Sequence, residues 1–197
     1  VSGGTGTGKT TFLNTLSSLV GTGERIITIE DVAELNLNHP NWVRLESVHV
    51  PGRPVVSTRD CLINSLRMRP DRIIVGECRR DETFEMLQAM NTGHEGSMTT
   101  LHANDTREAL SRLEMMVGMS GFEFPLTIVR QYIAAGIRLI AHVSRLKGGQ
   151  RKLTSISEVV GYRDGEYQTQ EIFAFRQRGV DDRGLAVGEF VSTGVVP

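Results

Sequence analysis

GGTGTGKTT, residues 3–11, is the stretch on which the reading of this chain turns. Read as G-x-x-x-x-G-K-[ST], it places Gly3, Gly8, Lys9 and Thr10 at the four required positions. Such a loop cradles phosphate with main-chain N–H groups, so Gly3, Gly4, Thr5, Gly6, Thr7 and Gly8, with Thr11 just behind, are the candidate binding residues. The predicted ligand is a nucleoside triphosphate. Lys9 would reach its β- and γ-phosphates, and the Thr10 hydroxyl would ligate Mg²⁺.

A phosphate loop needs a buried strand before it and a helix after it. The helix is legible in TTFLNTLSSLV (10–20), where Phe12, Leu13, Leu16 and Leu19 recur at helical spacing. Only Val1 and Ser2 precede the loop, so the expectation is a truncated first strand and a natural start further upstream.

Downstream, RIITIEDVAEL (25–35) reads as a buried strand ending in Glu30 and Asp31, and WVRLESVHV (42–50) as a second strand. STRDCLINSLRMRP (57–70) reads as a helix capped by Ser57 or Thr58, with Leu62, Ile63 and Leu66 inward. RIIVGE (72–77) is a short apolar run that presents Glu77 at its tip, as a central parallel strand does. A helix opened by Asp81 and closed by Gly93 follows, then a strand ending at His102. Asp105 and Glu108 form a D-x-x-E box at the start of the next helix, and another begins near Pro125.

Beyond residue 136 the alternation stops. IRLIAHVSRL, RKLTSISEVVGY and EYQTQEIFAF are strands separated by the turns KGGQ and RDGE. The tail from Arg176 shows no clear final element. The predicted fold class is α/β, a doubly wound and mainly parallel sheet with a C-terminal antiparallel β extension. Residues 1–136 would form the core, and 137–197 the extension of the same domain.

Composition bounds the partners. A formal net charge of -1 over 197 residues offers no general attraction to nucleic acid or acidic lipid. No direct nucleic-acid contact is expected. Arginine dominates the basic set, with 19 of 22, and five of these lie between Arg67 and Arg80, where they suit either the rim of an interface or a phosphate. Cys61 and Cys78 lack any metal-ligand spacing and read as reduced core thiols of a cytosolic protein.

Hydrolysis requires an oriented water and a stabilised developing charge. Glu77 is the best placed carboxylate for the water or the metal. Glu30, with Glu34 behind it, competes, and the two strand-end acids could share both duties. His102 resembles a sensor of the phosphate, with His94 the weaker candidate, and Arg79 could neutralise γ-phosphate charge. Met115, Met116 and Met119 read as core or as a malleable subunit contact.

In order and approximate spacing, GGTGTGKTT, ITIEDVAEL, RPDRIIVGECR and MNTGHEGSMTTLHAND resemble the type II and type IV secretion ATPases. The run from Leu66 to Met119 looks most like the subgroup that powers tight-adherence (Flp) pili. The resemblance implies a RecA-like P-loop fold, with Gly3 to Thr10 the Walker A loop and Glu30 and Glu34 the Asp-box acids. Glu77 would be the glutamate of an atypical Walker B ending in Gly-Glu, and His102 the His-box residue. It further implies ATP and Mg²⁺, with Thr10, Glu30 and Glu77 about the metal, and a homohexamer. An N-terminal domain, missing here, would supply further arginines. Partners would be inner-membrane platform proteins, through which the motor sits peripherally at the cytoplasmic face of the bacterial inner membrane. Alternative functions are a type IV export motor for protein or DNA, and a nucleotide-switched assembly module that barely hydrolyses.

Overall fold

A computed structural model describes residues 1–52 and 55–195. Its contacts divide the chain into two units, each discontinuous in sequence: one holds Thr10–Thr100 and Met115–Phe124, the other Val1–Lys9, Leu101–Glu114 and everything from Pro125. The boundary expected at 136/137 falls inside the second of these.

The first unit is built on a four-stranded parallel sheet in the order β2-β1-β3-β4, from β1 (Ile26–Glu30), β2 (Trp42–Glu46), β3 (Arg72–Val75) and β4 (Met98–Thr99). All five residues of β1 are buried, as a strand with neighbours on both sides requires. Ile26, Ile27, Ile29, Ile73, Ile74 and Val75 make the centre of its core. Burying each such side chain contributes roughly 1.5–3 kcal/mol. β2 is half exposed, and its Trp42 Nε1–H donates to Thr28 Oγ1 at 2.9 Å.

Three helices complete the ordering. In α1 (Lys9–Ser17) the apolar face is narrower than the spacing predicts: Leu13 is fully buried, Phe12 and Leu16 are half-buried, and Leu19 lies past the helix end, exposed. α2 (Thr58–Ser65) is capped by Ser57, whose side chain accepts from Asp60 N–H while the Asp60 carboxylate accepts from Ser57 N–H. Leu62 faces inward as expected, but Ile63 is exposed. α3 (Glu82–Asn91) starts after Asp81, which has helical backbone angles and makes no cap. Glu82 takes over that task, its Oε1 accepting from Arg79 N–H (2.6 Å) and Arg80 N–H (3.0 Å).

The second unit carries an antiparallel sheet in the order β5-β6-β7-β8: β5 (Leu139–Arg145), β6 (Arg151–Arg163), β7 (Glu166–Val180) and β8 (Ala186–Ser192). The tail is therefore not structureless. β7 runs through it to Val180 and pairs with β8, a hairpin masked in the sequence by Gly179 and Gly188 and by its polar exposed face. α5 (Leu126–Gly136) packs on β6 and buries Val129 and Ile133. α4 (Thr106–Gly118) begins with Glu108 N–H donating to Asp105 Oδ1, while the Glu108 carboxylate accepts from Asn104 N–H rather than closing the box on Asp105.

Ser2 anchors the start of the phosphate loop in this unit. It bridges Leu101 and His142 in parallel fashion, with Ser2 N–H donating to Ala141 O and Val143 N–H to Ser2 O, both at 2.8 Å. Its hydroxyl is paired with His142 Nδ1 at 2.9 Å.

Burial pushes the His142 imidazole below its usual value of 6.5, against the opposing influence of Asp105 and Glu108. Protons therefore bind the unfolded chain first as pH falls through that value, and stability drops. In His142→Gln the decline in urea midpoint between about pH 7 and 5 should be shallower than in the wild type.

Candidate functional site

The loop between Ser2 and α1 satisfies its own polar groups. Lys9 is buried, and its Nζ donates to Gly3 O (3.0 Å) and Gly4 O (2.9 Å), while Thr7 Oγ1 donates to Gly4 O (2.9 Å). Gly6 and Gly8 adopt φ of 70° and 94°, angles that cost a side-chain-bearing residue dearly, so glycine is needed to fold the loop back over Lys9. Thr5 and Gly6 form its exposed crest, and Thr11 is exposed on the first turn of α1.

Thr10 lines a cavity of about 130 Å³ together with Glu30, Asp31, Val32, Glu34, Gly76, Glu77 and Arg79. The predicted residues Thr10, Glu30, Glu77 and Arg79 are thus brought together. His102 belongs to the other unit, one residue past Leu101, whose N–H donates to Val1 O. His94 turns back on its own helix end, its Nδ1 3.3 Å from Ala89 O.

Glu30 reaches the cavity from the end of β1 and is almost fully buried. Its Oε1 accepts from Glu34 N–H (3.1 Å) and Leu35 N–H (2.9 Å), which pins the following turn. Its Oε2 is buried and accepts no hydrogen bond among the described residues. A buried carboxylate oxygen left in that state is costly, and a cation or an ordered water would relieve it.

Glu77 stands two residues past β3 on a turn fixed from three sides. Gly76 N–H donates to Ile29 O (2.9 Å), Thr100 Oγ1 donates to Gly76 O (2.7 Å), and Cys78 N–H donates to Thr100 O (2.9 Å). Arg79 Nε donates to Glu77 Oε2 at 2.7 Å, and this pairing raises the guanidinium pKa. Arg79 itself is largely exposed. Asp31, on the other side, is held below the usual carboxylate range first by the Thr58 hydroxyl at 2.6 Å, then by Ser47 at 2.8 Å and the Arg79 charge.

The clustered arginines divide by role. Arg72 pairs with Glu24, whereas only Arg79 of the five reaches the cavity lining. Cys78 is core: burial pushes its thiol up to about 12, and it lies against Met86 Sδ at 3.2 Å. Met116 is buried and accepts from Thr83 Oγ1, while Met115 and Met119 are about half exposed.

Sequence reasoning missed Asp31's ties, Thr100 and Glu82. The Glu82 role had a signal, an acid in the first turn of a helix, but Thr100 is one of several threonines in a strand and nothing local marks it.

Among the described residues no group of three or more His, Cys, Asp or Glu side chains is arranged to hold a metal alone. Mg²⁺ takes few protein ligands and keeps waters and phosphate oxygens. The residues that fit it are Thr10, whose hydroxyl has no hydrogen bond among the described residues, and Glu30 through Oε2.

A Walker-type loop, a parallel sheet and acids at the strand ends define a nucleotide-binding α/β protein of the RecA-like P-loop class. Within that class the sequence pattern of the type II/IV secretion system proteins matches residues 1–181, and the chain belongs to that family.

A putative conjugal transfer protein of Mycobacterium tuberculosis is 37% identical over 194 residues, covering 97% of this chain and 54% of the relative. The type IV secretion system protein VirB11 of Bartonella quintana is 36% identical over 159 residues, 79% of this chain and 44% of its own length. This chain therefore spans about half the length of these curated relatives. Among solved structures, the VirB11 ATPase of the Brucella suis type IV secretion system, in complex with sulphate, superposes with a TM-score of 0.71 at 34% identity, over 79% of this chain and 47% of that one. The pilus retraction motor PilT with bound ADP shares the fold, with a TM-score of 0.53 at 24% identity over 83% and 47% of the two chains.

A Cβ added at Gly76 would come 2.9 Å from Glu30 Cγ, in the middle of a side chain fixed at its far end. Gly76→Ala should therefore destabilise the protein by about 1–3 kcal/mol, read as a lowered urea midpoint. Glu30→Gln, which keeps an accepting oxygen for the turn, should leave that midpoint within about 1 kcal/mol of the wild type.

Proposed function

We propose that this chain is the motor domain of a hexameric Mg-ATPase that powers assembly or retraction of a tight-adherence pilus at the cytoplasmic face of the bacterial inner membrane. The observation that carries the enzymatic part is the shared cavity: Thr10 of the phosphate loop, Glu30 and Glu77 line one space. Family membership supports nucleotide chemistry of this kind.

In this reading the loop amides and Lys9 bind the triphosphate, with Lys9 exchanging the carbonyls of Gly3 and Gly4 for phosphate oxygens. Thr10 and Glu30 hold Mg²⁺, which when bound neutralises charge on the β- and γ-phosphates. Glu77 orients the attacking water. Arg79 positions Glu77 through the hydrogen bond to its Oε2 and is available to the developing charge. His102 senses the phosphate from the residue that follows the Ser2 bridge.

The pilus assignment rests on the resemblance of residues 66–119. A second reading, a type IV secretion motor moving protein or DNA, is favoured by the names of relatives at 36–38% identity, which include VirB11 and proteins of conjugal transfer. The platform protein that co-purifies with the intact protein separates the two.

The enzymatic reading predicts phosphate release from Mg-ATP that vanishes in Lys9→Ala. Release indistinguishable from that control would leave only a nucleotide-binding module. Glu77→Gln should keep ATP affinity within about threefold while turnover falls at least about a hundredfold, as expected when a group acts in the transition state and not in binding.

A further inference from the structure

We infer that Arg151, on the antiparallel sheet, is an additional phosphate-contacting residue of the nucleotide site, reaching the triphosphate across Gly8. The inference rests on the nucleotide reading above and adds a residue to it.

The phosphate loop lies against the β5-β6 hairpin of its own unit. At one end of the loop Gly3 has no room for a side chain: a Cβ there would come 2.3 Å from Val143 O and 3.0 Å from Val143 Cγ2. At the other end, a Cβ on Gly8 would lie 3.4 Å from Arg151 Cδ. The guanidinium Nε is bonded to that same carbon, so the charge is held beside the residue immediately before Lys9.

Register explains why this side chain arrives there. Val143 and Arg145 sit two apart on β5 and share a face, and Arg145 stands directly opposite Arg151 in the antiparallel pairing. The face that covers Gly3 through Val143 therefore carries both arginines at its end. The turn at residues 147–149 brings the chain back in time for Arg151 to take this place.

Both arginines are exposed, and neither makes a side-chain hydrogen bond or ion pair among the described residues. Like charges directly opposite across a strand pair repel, and an anion at their side turns that cost into an attraction. Arg79 differs in having Glu77 as a partner. Arg151 has only solvent and the loop, and the ligand class that fits a lone guanidinium over a glycine-rich phosphate loop is a nucleoside di- or triphosphate.

The test is a titration of the intact protein with a fluorescent ATP analogue and Mg²⁺, alongside melting temperatures without nucleotide. Arg151→Ala should weaken binding about tenfold, the loss of one charge-assisted contact, and make it less sensitive to salt. Arg151→Lys should recover part of the loss, Arg145→Ala should cost less than Arg151→Ala, and the melting temperature should not move. Wild-type affinity in Arg151→Ala, with binding lost in Lys9→Ala, would overturn the role of Arg151 and leave the nucleotide site standing. An affinity loss that tracks a fall in melting temperature would equally overturn it, by making Arg151 a structural residue. If the wild type binds no triphosphate, the nucleotide reading fails and this inference with it.

Discussion

Two adjoining strand ends contend for one volume, and the missing side chain at Gly76 gives it to Glu30. β1 and β3 run parallel in register, so the residues that follow them emerge side by side. A Cβ at position 76 would stand 2.9 Å from Glu30 Cγ. With glycine there, the Glu30 carboxylate can turn into the protein, fasten the 31–35 turn with one oxygen and present the other to the cavity. Position 76 itself thereby carries no carboxylate, and the acids of the cavity stand on either side of it. Glu30 ends the neighbouring strand, and Glu77 stands one residue further out, on a turn.

The turn that carries Glu77 is not left free. Several of its backbone groups are tied: Gly76 to Ile29 and the Thr100 hydroxyl, Cys78 to the Thr100 carbonyl, and the Arg79 and Arg80 amides to Glu82. None of these ties lies in the eight residues of the phosphate loop, yet they decide where the second acid stands. The loop follows the same logic. Lys9 and Thr7 donate to the loop's own carbonyls, so the loop holds its fold through its own hydrogen bonds.

Much of this was legible in the sequence because it depends on local rules. The phosphate loop is set by spacing, β1 and β3 by short apolar runs ending in acids, α2 by a cap at Ser57 or Thr58, and the β5 to β7 meander by its glycine turns. What was not legible depends on contacts remote in sequence. Whether Leu19 or Ile63 is buried is decided by what happens to cover that side of the helix, and both proved exposed. Asp81 looks like a cap by type, but Glu82 reaches the same backbone amides from one residue later. β8 was invisible because an outer strand with glycines and polar alternation has the composition of a loop. The tie of Ser2 to His142 joins residues 140 apart, a separation no periodicity reports.

The charge around the cavity constrains what it would accept. Glu30, Asp31, Glu34 and Glu77 face a single guanidinium, that of Arg79, which is already paired. Unit charges about 4 Å apart near a protein surface interact by roughly 4 kcal/mol, so a bare polyphosphate approaching such a lining meets strong repulsion. A cation at Glu30 Oε2 and the Thr10 hydroxyl would remove most of it and at the same time satisfy the Glu30 oxygen that accepts no hydrogen bond among the described residues. Under the proposed function, the acids that make the cavity a poor site for a bare anion would favour a triphosphate that arrives with its metal. Under that reading Thr10, which lines this cavity and closes the phosphate-loop motif, is where the metal and phosphate requirements would meet.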